Sequence, residues 1–150
     1  MRAPHPASYV VDASVVVKWY VPEALSGSAS ALLDRFKAGE VGLLAPSLLW
    51  AEVANAVCAK HRSGELDDEH VRQTYHRLMR LPITLVPIRE LLVEAIEISL
   101  SVRCSAYDAL YVALAQREHV SLLTADDRLV RGLAATPFEG VAESLRDLHS

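Results

Sequence analysis

Short apolar, β-branched runs alternate along this chain with longer segments of helical period, and that alternation constrains the fold more than any other feature. The runs fall near residues 9–12, 41–45, 83–87 and 120–124, with a weaker one near 138–141. Val120-Ser121-Leu122-Leu123 is almost continuously hydrophobic, as suits a strand covered on both faces. Helical patterns fill residues 28–38, 46–61, 67–81, 89–102, 105–117 and 127–133, and residues 142–148 read as a closing helix. Pro46 suits a first helical turn, Gly39 and Gly64 suit stops, and Asp67 suits an N-cap. The expected fold is α/β: a three-layer α/β/α sandwich around a central, mainly parallel five-stranded sheet.

The chain has 150 residues, 51% of them hydrophobic, enough for one compact domain with a two-sided core over 1–150. No apolar run approaches the roughly 20 residues of a membrane span, so no membrane partner is expected. Met1-Arg2-Ala3-Pro4-His5-Pro6 lacks the apolar stretch of a signal peptide. Cys58 and Cys104 lie outside any Cys-x-x-Cys pattern and fit reduced thiols in a cytoplasmic protein. A net charge of -4 argues against general polyanion binding, an objection that weakens if a bound cation neutralises several acids.

In a parallel sheet with right-handed crossovers, strand C-terminal ends and the N-terminal ends of the following helices face one edge, where ligands bind. Four acids are expected there. Asp12 ends the run Tyr9-Val10-Val11, and burying it unpaired would cost several kcal/mol, so it needs a partner. Glu52 falls inside the apolar arc formed by Leu48, Leu49, Val53 and Ala56, where an acid is rare unless paired or coordinating. Asp108 lies in a helix apolar nearly all round, and Asp126 follows the fourth strand.

Plainer roles also exist. Ser105 and Asp108 have capping-box spacing, and Asp126 suits the N-cap of the helix at 127. Asp127 reads as a solvated first-turn acid, although either aspartate can face the site. Ser14 either caps a helix or binds Asp12 or a metal-bound water, and Asn55 is either a supporting donor or solvent-facing. Capping accounts for single acids but not for four at one edge. Two carboxylates about 4 Å apart repel by roughly 4 kcal/mol at an effective dielectric near 20, so the cluster calls for protons or a cation. An all-oxygen donor set favours Mg²⁺ or Mn²⁺.

The segments Val11-Asp12-Ala13-Ser14-Val15-Val16-Val17-Lys18-Trp19, Pro46-Ser47-Leu48-Leu49-Trp50-Ala51-Glu52-Val53-Ala54-Asn55, Tyr107-Asp108-Ala109-Leu110-Tyr111-Val112-Ala113-Leu114-Ala115 and Leu123-Thr124-Ala125-Asp126 occur in one order across nearly the whole chain. In that order they resemble a PIN domain, and within that family the VapC-like toxins of toxin–antitoxin pairs. The resemblance implies a Mg²⁺- or Mn²⁺-dependent ribonuclease, a homodimer, held inactive by a cognate antitoxin protein. By position, it implies that Asp12, Glu52, Asp108 and Asp126 form the acidic metal site, with Ser14 and Thr124 as supporting polar groups. The metal would offset the carboxylates, activate a water and polarise the scissile phosphate. The fourth acid has Asp127 beside it, so its assignment stays open between the two.

Arg72, Arg77 and Arg80, with His76 among them, form the densest basic region. They are either a solvated face or a phosphate track for RNA. Trp19, Val21, Leu32 and Trp50 are candidates to line an apolar antitoxin groove, or to serve as core or dimer contacts. Rival functions are a PIN nuclease of RNA processing or DNA repair, a non-catalytic PIN-like module, and an Asp-nucleophile phosphatase. The last lacks the Asp-x-Asp motif, since Ser14 stands at its second position, and no lysine follows Lys60.

Overall fold

A computed structural model describes residues 7–148, and the reading of Met1 to Pro6 lies outside them. Among these residues five parallel strands form one sheet in the order β3-β2-β1-β4-β5, where β1 is Ala7–Val11, β2 Val41–Pro46, β3 Thr84–Val86, β4 Ser121–Thr124 and β5 Ala142–Ser144. Helices α2 (Ser26–Lys37), α3 (Leu49–Arg62), α4 (Asp68–Leu78), α5 (Ile88–Val102), α6 (Ala106–Glu118) and α7 (Asp127–Leu133) supply the crossovers, and the one-turn α1 (Ala13–Val16) leaves β1 directly. This is the expected α/β/α architecture.

The topology fixes where a site can form. From β1 the chain steps outward to β2 and β3, then α5 and α6 carry it back to β4 on the other side of β1. The β1–β4 pair is therefore a topological switch point, where the connections leave in opposite directions and open a crevice at the strand C-termini. Val11 pairs with Leu123 there, so Asp12 and Thr124 emerge side by side.

Helix α6 explains why the crevice has a firm floor. Residues 109–115 are all buried, because α6 packs on β1, β2 and β4 and is in turn covered by α5. Each such Leu or Val contributes about 1.5–3 kcal/mol by its burial. Val10, Val11, Leu122 and Leu123, fully buried in the two central strands, complete this layer.

Several boundaries differ from the sequence reading. Pro46 is the last residue of β2 rather than a first helical turn; it pairs with Val86, and the N–H of Ser47 donates to the Val86 carbonyl at 2.8 Å. The last strand is 142–144, not 138–141, and residues 145–147 form a 3₁₀ turn instead of a longer helix. Helix α4 stops at Leu78, while Asp67 caps it as expected, accepting from the His70 N–H at 2.8 Å. Val21 and Leu32 are buried in the core, and Leu32 also borders a small cleft with Gly27, Ser28, Ala31, Arg35 and Leu148. Among the described residues no helix is long and apolar enough to cross a membrane.

Candidate active site

Asp12 stands one residue beyond β1 with extended backbone and caps α1, accepting from the Val15 N–H at 3.3 Å. Ser14 is inside α1 rather than at its cap, and its hydroxyl donates to Asp12 Oδ1. The same Ser14 oxygen accepts from the Ala125 N–H at 2.9 Å and lies 3.4 Å from Thr124 Oγ1. One hydroxyl thus ties the start of α1 to the end of β4 across the crevice. Burial pushes the Asp12 carboxyl from 3.8 up to about 6, against the Ser14, Thr124 and Val15 donors that lower it, and the Asp108 charge adds to the rise.

Asp108 sits in the first turn of α6, where its N–H donates to Ser105 Oγ at 3.0 Å. The cap forms as expected, and the carboxyl is still within electrostatic reach of Asp12, Glu52 and Asp126. Burial raises it, the Asp126 charge raises it further, and the Ser105 hydroxyl lowers it. Glu52, half-buried on α3, accepts from the Tyr111 hydroxyl at 2.6 Å. Its carboxyl is raised by burial, lowered by Tyr111 and raised again by Asp108.

Tyr111 is the residue the sequence reading missed. It is buried on α6, and its phenol is held protonated first by burial, then by Glu52, Asp12 and Asp108. A single buried donor therefore feels three acids from three elements. An apolar-looking position one turn after Asp108 was the only signal available.

The two neighbouring aspartates separate cleanly. Asp126 caps α7, accepting from the Arg128 N–H at 3.0 Å, and its own N–H donates to Thr124 Oγ1 at 3.0 Å. Asp127 turns toward the far end of the sheet, accepting from Ser144 Oγ at 3.1 Å and Arg146 Nη2 at 3.3 Å. Asp126 raises Asp108, so it is the member of the pair in electrostatic reach of the other acids. Asn55 is exposed.

Asp12, Glu52 and Asp108 thus share one electrostatic neighbourhood with Asp126. Asp126 has an exposed ion pair with Arg128, while the stabilising partners of Asp12, Glu52 and Asp108 are hydroxyls and a backbone N–H, which leave negative charge uncompensated. That charge, offered by hard oxygen donors, fits a hard divalent cation. Among the described residues no three acidic, histidine or cysteine side chains stand close enough together to hold a metal ion. Of the histidines, His61 pairs with Asp68 and His70 contacts the Tyr20 carbonyl, so both are engaged elsewhere.

The basic and aromatic candidates occupy two other grooves. Trp50 and Arg72 line an almost wholly apolar one of about 250 Å³ between α3 and α4. Trp19, Arg77 and Arg80 line another of about 570 Å³, with Tyr20, Phe36 and Lys37. Leu92, Val93, Ile96 and Leu100 are exposed along α5.

A PIN domain family model matches residues 9–132. Ribonuclease VapC1 of Mycobacterium tuberculosis is 40% identical over 121 residues, 80% of this chain and 86% of the relative. Ribonuclease VapC3 of Pyrobaculum aerophilum is 32% identical over 128 residues, 84% of this chain and 95% of the relative. In fold the chain is similar to the structure of VapBC2 from Rickettsia felis bound to a DNA fragment from their promoter. That similarity has a TM-score of 0.64 at 14% identity, over 91% of this chain and 98% of that one.

Proposed function

The chain belongs to the PIN-domain family, in its VapC-like branch, and from that premise we propose that it is the ribonuclease toxin of a toxin–antitoxin pair. Asp12, Glu52, Asp108 and Asp126 form its catalytic centre and hold Mg²⁺ or Mn²⁺. The observation that carries this reading is the placement of the acids: Tyr111 binds Glu52 and lies within electrostatic reach of Asp12 and Asp108, and Asp108 and Asp126 line one groove. Acids placed only as helix caps or as core exceptions have no reason to share one field.

When bound, the ion offsets the carboxylates, lowers the pKa of a water and polarises the scissile phosphate. The chain's own residues do the positioning. Ser14 and the Val15 N–H orient Asp12, Tyr111 orients Glu52, and Thr124 holds the backbone of Asp126. Proton transfer falls to the carboxylates, since among the described residues no histidine lines the groove that holds Asp108 and Asp126. Asn55 and Asp127 stay outside the reacting set.

The antitoxin occupies the groove around Trp19. Its aromatic wall and the cations Lys37, Arg77 and Arg80 suit an acidic segment that carries apolar side chains. Arg77 and Arg80 then serve the antitoxin rather than an RNA track. The exposed apolar row on α5 suits a homodimer contact.

Purified protein is expected to cleave RNA with Mg²⁺ or Mn²⁺ and to stop in EDTA, with Asp12→Asn inactive but folded. Induced expression is expected to arrest growth, relieved by co-expression of the antitoxin. Full activity in metal-exchanged Asp12→Asn would refute the catalytic assignment.

A further inference from the structure

Between the α5–α6 turn and α7 lies an open groove of about 380 Å³. Asp108 and Asp126 line it, and so do Arg103 and Arg128. A phosphodiester strand drawn to four acids meets like charge on both sides of the cut, so the phosphates flanking the scissile one need cations from the chain itself. The two grooves that hold Arg72, Arg77 and Arg80 contain none of the four acids. Arg103 and Arg128 share a wall with two of them.

Both side chains are free to serve. The Arg128 side chain is 88% exposed, and its Nε lies 3.8 Å from Asp126 Oδ1, an exposed ion pair that a phosphate can replace easily. Arg103 is exposed at the C-cap of α5, beside Cys104 and Ser105 at the mouth of the groove. Its left-handed backbone, with φ 56°, is one that glycine adopts without strain, yet the position carries a guanidinium. A guanidinium fork matches two phosphate oxygens.

We infer that Arg103 and Arg128 hold the RNA phosphates on either side of the cleaved bond, an assignment that rests on the ribonuclease reading. They are substrate-positioning residues.

The test is binding of a fluorescein-labelled, random-sequence single-stranded RNA 15-mer to Asp12→Asn protein in Mg²⁺, followed by anisotropy from low to high salt. Arg128→Ala and Arg103→Gly, which also relaxes the left-handed turn, are each expected to weaken binding several-fold. Each is expected to reduce the slope of log affinity against log salt by about 0.7. Arg128→Lys is expected to restore the slope, and Arg89→Ala, at the far end of α5, to leave it unchanged. An unchanged slope in both variants, with the loss appearing in Arg72→Ala or Arg77→Ala, overturns the inference while leaving the ribonuclease reading intact. Absence of both RNA binding in this background and RNA cleavage by the parent chain overturns both.

Discussion

Replacing Asp12 by asparagine removes a charge that the folded chain holds against its own burial. Asn keeps an oxygen to accept from Ser14 and the Val15 N–H, so the local frame survives. The wild-type carboxyl rises from 3.8 to about 6 on folding, mainly through desolvation, which corresponds to a penalty of about 3 kcal/mol once it is ionised. The folded-state value lies above the unfolded one, so the folded chain binds this proton more tightly. Its contribution is favourable below about pH 4 and is lost as pH climbs through 6. Metal-free Asp12→Asn is therefore expected to match the wild type near pH 4 and to exceed its stability by up to about 3 kcal/mol at pH 8. Urea unfolding at both pH values in EDTA measures the difference, and saturating Mn²⁺ is expected to narrow it by stabilising only the wild type. A gap of equal size at both pH values, or a less stable variant at pH 8, would refute the reasoning.

Other outcomes follow from the same contacts. Tyr111→Phe removes one buried donor from Glu52 and is expected to lower both Mn²⁺ affinity and turnover by roughly 10-fold while leaving the fold intact, as calorimetry and single-turnover cleavage would register. Ser14→Ala cuts the link between Asp12 and the Ala125 N–H and is expected to cost about 1–2 kcal/mol in urea unfolding. Asp126→Asn should abolish cleavage; Asp127→Asn should keep it and lose less than about 1 kcal/mol of stability, because its Arg146 pair is exposed.

The sheet and its helices follow from period alone where elements are long. Helix α6 reads as buried because its apolar residues leave no polar face, and it is the floor of the site. The errors fall on short elements. Strand β5 has three residues and is made a strand by pairing with β4, while Ala142-Glu143-Ser144-Leu145 carries a helix-like composition; pairing overrode propensity. Pro46 offers the signal of a helix start, yet it lies two residues beyond the register with β1, and the bond to β3 at this point is given by the Ser47 N–H, so the missing proline donor is not needed.

At the site, Asp12 and Glu52 announce themselves by standing where local packing disfavours an acid, whereas Asp108 and Asp126 also suit ordinary helix-start positions. What sequence spacing does not carry is which partner each one finds. Asp126 and Asp127 are adjacent and chemically alike, and only Ser144 and Arg146, brought close by β5, draw one of them away. The Tyr111–Glu52 bond joins residues 59 positions apart, and on α6 alone Tyr111 is simply one more apolar residue. The cations sort the same way: local density favours Arg72, Arg77 and Arg80, but the fold sets Arg103 and Arg128 beside the acids.

Four carboxylates from four elements are proposed to act as one cation-binding catalytic centre. Electron paramagnetic resonance of Mn²⁺ titrated into metal-stripped protein tests this most directly, comparing the wild type with Asp108→Asn. Asp108 is the acid that couples to the other three. Saturable Mn²⁺ binding is expected in the wild type, and its loss, by roughly 10-fold or more in affinity, in a folded Asp108→Asn variant. Equal Mn²⁺ affinity in the two proteins would contradict the proposal.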